Sequence, residues 1–181
     1  MKKCLGALLG IFGLAFAHPG HILPHTGAFT SGLIHPITGL DHIAVMVAVG
    51  MLGAYLNGKK VFLPPAVFVS FMTLGFVFGY LGINLPFVEK GVLLSVALSG
   101  LLLIFGSSRL TLILPVLALF GFLHGLAHGY ESPQGNPYNF ALGFILSTFT
   151  LHVSGILFGQ LGKEKLVKIS GLAILGLAFL L

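Results

Sequence analysis

Apolar runs long enough to cross a bilayer recur along this chain, and they constrain its fold more than any other feature. The hydrocarbon core holds no water, so a spanning segment must satisfy its own backbone hydrogen bonds. For runs of about 20 residues that leaves the α-helix. Six such runs read as helices, at about 36–56, 61–83, 88–106, 110–130, 138–161 and 165–181. Turn chemistry separates them: Asn57-Gly58, Asn84 with Pro86, Gly106-Ser107-Ser108, Ser132 through Pro137, and Gly162. Pro64, Pro65 and Pro115 fall near helix starts, where a missing N–H costs little. The last run is short, at about 16 residues. Only 7% of the residues are charged, against roughly 25% in soluble globular chains. The expected fold is all-α: a polytopic integral membrane protein, six transmembrane helices after an N-terminal signal peptide.

The N-terminus has the parts of that peptide. Lys2 and Lys3 are basic, Cys4 to Phe16 is a short apolar stretch, and Ala15-Phe16-Ala17 is a small-x-small cleavage site. Residues 1–17 would be removed, leaving 18–181 as a single transmembrane domain that begins at His18. The one cysteine leaves with the peptide, so any metal must be held by nitrogen and oxygen. With the N-terminus exported, the inward connections carry Lys59, Lys60, Arg109, Lys163, Lys165 and Lys168, and the outward ones only Lys90. That agrees with the excess of basic residues on the cytoplasmic side. The expected location is therefore the bacterial inner membrane, multi-pass, with the mature N-terminus in the periplasm. No basic patch with interleaved aromatics suggests nucleic acid. No phosphate-binding loop suggests ATP hydrolysis.

Glycine is abundant, with 26 residues. Gly75 and Gly79, then Gly121, Gly125 and Gly129, then Gly155 and Gly159 form small-residue faces at four-residue spacing. Such faces let helix backbones approach closely in lipid.

Against this apolar background, three histidine-bearing segments stand out. His35-Pro36-Ile37-Thr38-Gly39-Leu40-Asp41-His42 opens the first helix. Pro36 reads as its first residue. His42 then lies two turns beyond His35 on nearly the same face, with Asp41 beside it and Gly39 permitting local distortion. Ionisable groups in a membrane segment are costly and mark function by default. Two imidazoles and a carboxylate suit a divalent cation. The plain alternative is an Asp41 that caps locally and histidines at headgroup depth.

The fourth helix carries His124 and His128 one turn apart, a strong metal-ligand spacing, with Glu131 extending the stripe. Metalloprotease zinc helices share that spacing, but Gly125 stands where their general-base glutamate would be. Glu131 can equally belong to the outer loop as a solvated residue. The fifth helix carries His152 alone amid apolar neighbours, either a satisfied polar residue or a partner for the other sites. His18, His21 and His25 lie in the exported N-terminal stretch. Metal capture by a free amino terminus at His18 and a merely solvated segment are equally open.

At these residues the chain resembles the HupE/UreJ family of nickel/cobalt permeases, over essentially its full length. The match rests on His35-Pro36-x-x-Gly39-x-Asp41-His42, on His124-Gly125-x-Ala127-His128-Gly129-x-Glu131, and on His152 with Gly155. The resemblance implies uptake of Ni²⁺, or Co²⁺ in some members, across the bacterial inner membrane, commonly for hydrogenase or urease maturation.

The topology independently puts the first two motifs toward the outer side. One starts a helix that enters from outside; the other ends a helix that exits there. His152 lies nearer the midplane. The expectation is that His35, Asp41, His42, His124, His128 and His152 converge on one pathway, with Asp41 and Glu131 neutralising the ion. The partners are then a divalent ion as transported substrate and the lipid bilayer, with no cofactor; self-association is left open. Inward movement of a double charge gains roughly 4–5 kcal/mol per 100 mV of inside-negative potential, so no ATPase is needed. Two other readings remain: an intramembrane hydrolase using the same cluster around zinc, and a metal-sensing or scaffold protein without flux.

Overall fold

The computed structural model describes residues 27–56, 58–106, 110–132, 136–162 and 164–181. The expected signal peptide at 1–17 lies outside the described residues, as do His18, Arg109 and Lys163. The described residues form seven α-helices and no strand: α1 (Ala28–Thr38), α2 (Leu40–Ala54), α3 (Leu63–Tyr80), α4 (Val88–Phe105), α5 (Leu110–Tyr130), α6 (Pro137–Leu161) and α7 (Glu164–Ala178). A short 3-10 helix, Gly58–Phe62, leads into α3. Local chemistry explains several boundaries. Pro64 and Pro65 open α3. Asn136 caps α6, its side-chain oxygen accepting from the N–H groups of Tyr138 (3.0 Å) and Asn139 (3.3 Å), with Pro137 as the first helical residue.

The first expected helix, 36–56, is corrected. Helix begins at Ala28, runs through Pro36 and stops at Thr38. Gly39 is extended (φ −98°, ψ 122°), and α2 then leaves at 81° to α1. Pro36 therefore lies inside the last turns of α1 rather than at a helix start. It has no N–H to offer the carbonyl one turn back, which weakens the helix just where it ends. The Thr38 hydroxyl then donates to the His35 carbonyl at 2.8 Å and closes that end.

Four segments are long and apolar enough to cross a membrane singly: Gly58–Tyr80, α4, α5 and α6. The bent pair α1 and α2 gives a fifth. The expected sixth helix forms as α7 but has only 15 residues. At about 1.5 Å per residue it falls short of a hydrocarbon core about 30 Å thick. By length and composition the described residues thus carry four or five spans, where six were expected.

The bundle is a multi-pass membrane architecture held by backbone contact. α3 packs on α5, α1 and α2 on α6, and α4 on α7. The glycine faces at 75/79 and 121/125/129 meet each other: a Cβ on Gly75 would stand 2.1 Å from the Phe122 carbonyl oxygen, and one on Gly125 2.0 Å from that of Met72. Gly155 crosses α2 at Gly50. Two further close approaches, Gly32 with Gly143 and Gly100 with Gly171, have no repeat spacing that marks them in the sequence. Apolar burial drives little association in lipid, so such close packing carries the fold. α2 is central, with Val45, Met46, Ala48, Val49 and Leu52 wholly enclosed. Phe71, Leu74, Leu112, Leu119, Leu142 and Leu157 face outward as an apolar belt.

Candidate metal site

α5 is continuous through the second motif, so His124 and His128 project from one face, and both are fully buried. The break between α1 and α2 delivers His35 and His42 to that face from two directions. Ring centroids are 4.8 Å apart for His35 and His128, 5.0 Å for His42 and His128, 5.1 Å for His42 and His124, and 5.8 Å for His35 and His42. His35 and His42 were expected to meet as residues two turns apart on one helix. They meet instead because the 81° bend at Gly39 turns α2 across the end of α1.

His35, His42 and His128 each offer a nitrogen, all within 4.8 Å of one another. Two nitrogens on opposite sides of an ion at about 2.1 Å stand about 4.2 Å apart. Modest side-chain rotation therefore brings the three into a coordination shell, with His124 adjacent.

Two carboxylates flank the rings. Asp41 Oδ1 accepts from His42 Nδ1 at 2.9 Å. Gly39 leaves the space for this pair, since a Cβ there would lie 2.6 Å from Asp41 Oδ1 and 3.0 Å from His42 Nδ1. Glu131, one residue beyond α5, reaches His35: its Oε2 is 2.9 Å from Nε2. The approach lacks hydrogen-bond alignment, so Nε2 has no hydrogen-bond partner by direction. Glu131 thus belongs to the cluster as well as to the outer surface.

The hydrogen bonds assign the tautomers. His124 Nδ1 donates to the Phe120 carbonyl at 2.9 Å, and His152 Nδ1 to the Met46 carbonyl at 2.7 Å. A carbonyl can only accept, so in each neutral ring the proton sits on Nδ1 and the lone pair on Nε2. The Asp41 carboxylate does the same for His42. Such outer partners orient metal-ligating imidazoles. The Nε2 atoms of His35, His42, His124 and His152, and both nitrogens of His128, are buried without a hydrogen-bond partner among the described residues. A buried polar atom left unpaired costs about 1–3 kcal/mol. Apart from Ser99 Oγ and Ser132 Oγ, the buried unpaired side-chain atoms among the described residues are all imidazole nitrogens, which matches a place built to receive a cation.

His152 does not join the four-ring cluster. The ring of Phe68, fully buried on α3, stands against both His124 and His152, with centroids 5.4 Å from each. Phe144 stacks on His128 at 4.9 Å, and Phe140 flanks His35 at 6.0 Å. Sequence reasoning missed these three: among 17 phenylalanines in an apolar chain, nothing marks those that line a polar cluster. It also passed over Tyr130, inside the second motif. Its hydroxyl donates to the Ile83 carbonyl (2.8 Å) and accepts from Leu85 N–H (3.0 Å), tying the α3–α4 connection to the residue before Glu131. His18 lies outside the described residues.

The chain as a whole has known relatives. The family model described as HupE / UreJ protein matches residues 6–181. Protein HupE of Rhizobium leguminosarum bv. viciae is 39% identical over 178 residues, covering 93% of this chain and 90% of that protein. No solved structure matches.

Proposed function

Because this chain belongs to the HupE/UreJ family, we propose that it is a permease carrying Ni²⁺, Co²⁺ or both inward across a bacterial inner membrane. Its mature N-terminus faces the periplasm, and its cargo supplies hydrogenase or urease maturation. The observation that carries the proposal is the cluster of unpaired imidazole nitrogens with a carboxylate on either side. His35, His42, His124 and His128 are the nitrogen ligands. Asp41 orients His42 and, with Glu131, offsets the two positive charges of the ion, so the occupied site carries no net charge in a low dielectric. His18, if exposed by cleavage after Ala17, acts earlier, in capture. Imidazole with carboxylate suits Ni²⁺ and Co²⁺; Cu²⁺ binds such donors more tightly, so selectivity rests on geometry.

The hydrolase alternative finds no support in the family comparisons. The deciding experiment is radiolabelled ⁶³Ni²⁺ and ⁵⁷Co²⁺ uptake in cells producing the chain or His42→Ala. Saturable accumulation of one metal, lost in the variant at equal membrane abundance, is the expected result. No accumulation of either metal by abundant unaltered protein would overturn the proposal.

A further inference from the structure

We propose that His152 marks a second, inner resting position for the transported ion, one turn of α2 beyond His42, with the Phe68 ring against both His124 and His152. This inference rests on the transport reading above.

His152 is fully buried, and its Nε2 has no hydrogen-bond partner among the described residues. The Met46 carbonyl on α2 holds Nδ1 at 2.7 Å, leaving the lone pair on Nε2. Leaving that atom unmatched costs stability, a cost that an arriving ion would relieve. Two helices present matched pairs here. On α6, Thr148 lies one turn before His152; on α3, Met72 lies one turn after Phe68. All four are fully buried, and Thr148 Oγ1 donates toward Met72 Sδ at 3.9 Å. Thr148 and Met72 both lie on the cluster side: Thr148 follows Phe144, which stacks on His128, and the Met72 carbonyl lies against Gly125, so the inner position's donor is the His152 imidazole.

The donor sets differ in kind. The outer cluster has two carboxylates; among the described residues none forms an ion pair with His152. An ion held by neutral ligands alone keeps its double charge inside a low dielectric and binds weakly. That suits a transit position, where an ion must be able to enter and also to leave.

The test separates capture from passage. Full-length protein and His152→Gln, whose amide can still donate to the Met46 carbonyl, are compared in Co²⁺ binding after purification and in ⁵⁷Co²⁺ and ⁶³Ni²⁺ uptake by cells. The expected result is Co²⁺ affinity within about twofold of the unaltered protein, KM little changed, and maximal uptake reduced about tenfold or more. Retained Co²⁺ binding also shows that the variant is folded. If it does not fold, His152→Asn replaces it and should behave alike. Normal uptake by a folded His152 variant overturns the inference and leaves the transport reading intact. Loss of Co²⁺ binding together with uptake in a folded variant also overturns it, for His152 is then part of the outer site. Absence of both binding and uptake in the unaltered protein overturns the transport reading and this inference with it.

Discussion

His124 and His128 sit one turn apart on α5, an unbroken helix of 21 residues, whereas His35 and His42 belong to two helices that meet at 81°. Both arms end within about one ring width of each other, yet different forces hold them. On α5, helix periodicity alone sets the two imidazoles on one face. What α5 needs is a firm seat, which the α3 crossing supplies. On the other arm, periodicity sets nothing across Gly39. A proline-weakened helix end, an extended glycine and the Asp41–His42 pair place those rings. A site assembled from one rigid arm and one bent arm depends on global packing at the first and on a few local contacts at the second.

The same small substitution should therefore have opposite consequences on the two arms. Gly125→Ala puts a methyl against the Met72 carbonyl at 2.0 Å and the Phe76 nitrogen at 2.7 Å, both backbone atoms that cannot step aside. The expected outcome is the largest here, destabilisation at or beyond the upper end of about 1–3 kcal/mol, seen as lost membrane abundance and a lower unfolding temperature in detergent. An unaltered unfolding temperature would show that the α3–α5 seam does not govern α5.

Asp41→Asn keeps the shape of the bent arm and removes its charge. Metal affinity and uptake should fall about 10–100-fold, with unfolding little altered. Glu131→Gln should cost less, because that carboxylate is 37% exposed and its contact with His35 is not an aligned hydrogen bond. Equal losses from the two would remove the distinction between a pair that orients a ligand and one that only adds charge.

Gly39→Ala tests the bend by itself. The backbone there (φ −98°, ψ 122°) suits alanine, so folding should survive. The added methyl displaces Asp41 Oδ1 from His42 Nδ1, and affinity should drop by up to about tenfold. Retained affinity with a lowered unfolding temperature would mean that the glycine serves packing and not the site.

Tyr130→Phe should be mildest. It deletes two hydrogen bonds to the α3–α4 connection, worth about 1 kcal/mol each at most in so exposed a place. If Tyr130 steadies Glu131, KM rises two- to threefold with maximal rate unchanged, an effect of about 0.5 kcal/mol. A fall in maximal rate alone would place the tyrosine outside the site.

Much of this arrangement could be read before folding was considered. Run length and the scarcity of charge require membrane helices, because only helices hold their own backbone bonds in lipid. Four-residue glycine spacing announces close-packing faces on α3 and α5, and the spacing of His124, His128 and Glu131 announces a ligating stripe, because both are properties of one helix turn. Residues on different helices have no such ruler. That His35 and His42 converge across a break, that Glu131 reaches His35, and that Phe68 lies against both His124 and His152 depend on how helices pack, and packing is decided by backbone contacts far apart in the chain. The same holds for the span count: α1 and α2 are each too short to cross, and only their relative angle makes them one bent passage. The sequence by itself determined which atoms are available to an ion and in what medium they work. The tertiary structure alone decided which of them meet, because a coordination shell needs distances of a few ångströms that periodicity fixes within a helix and nothing in the sequence fixes between helices.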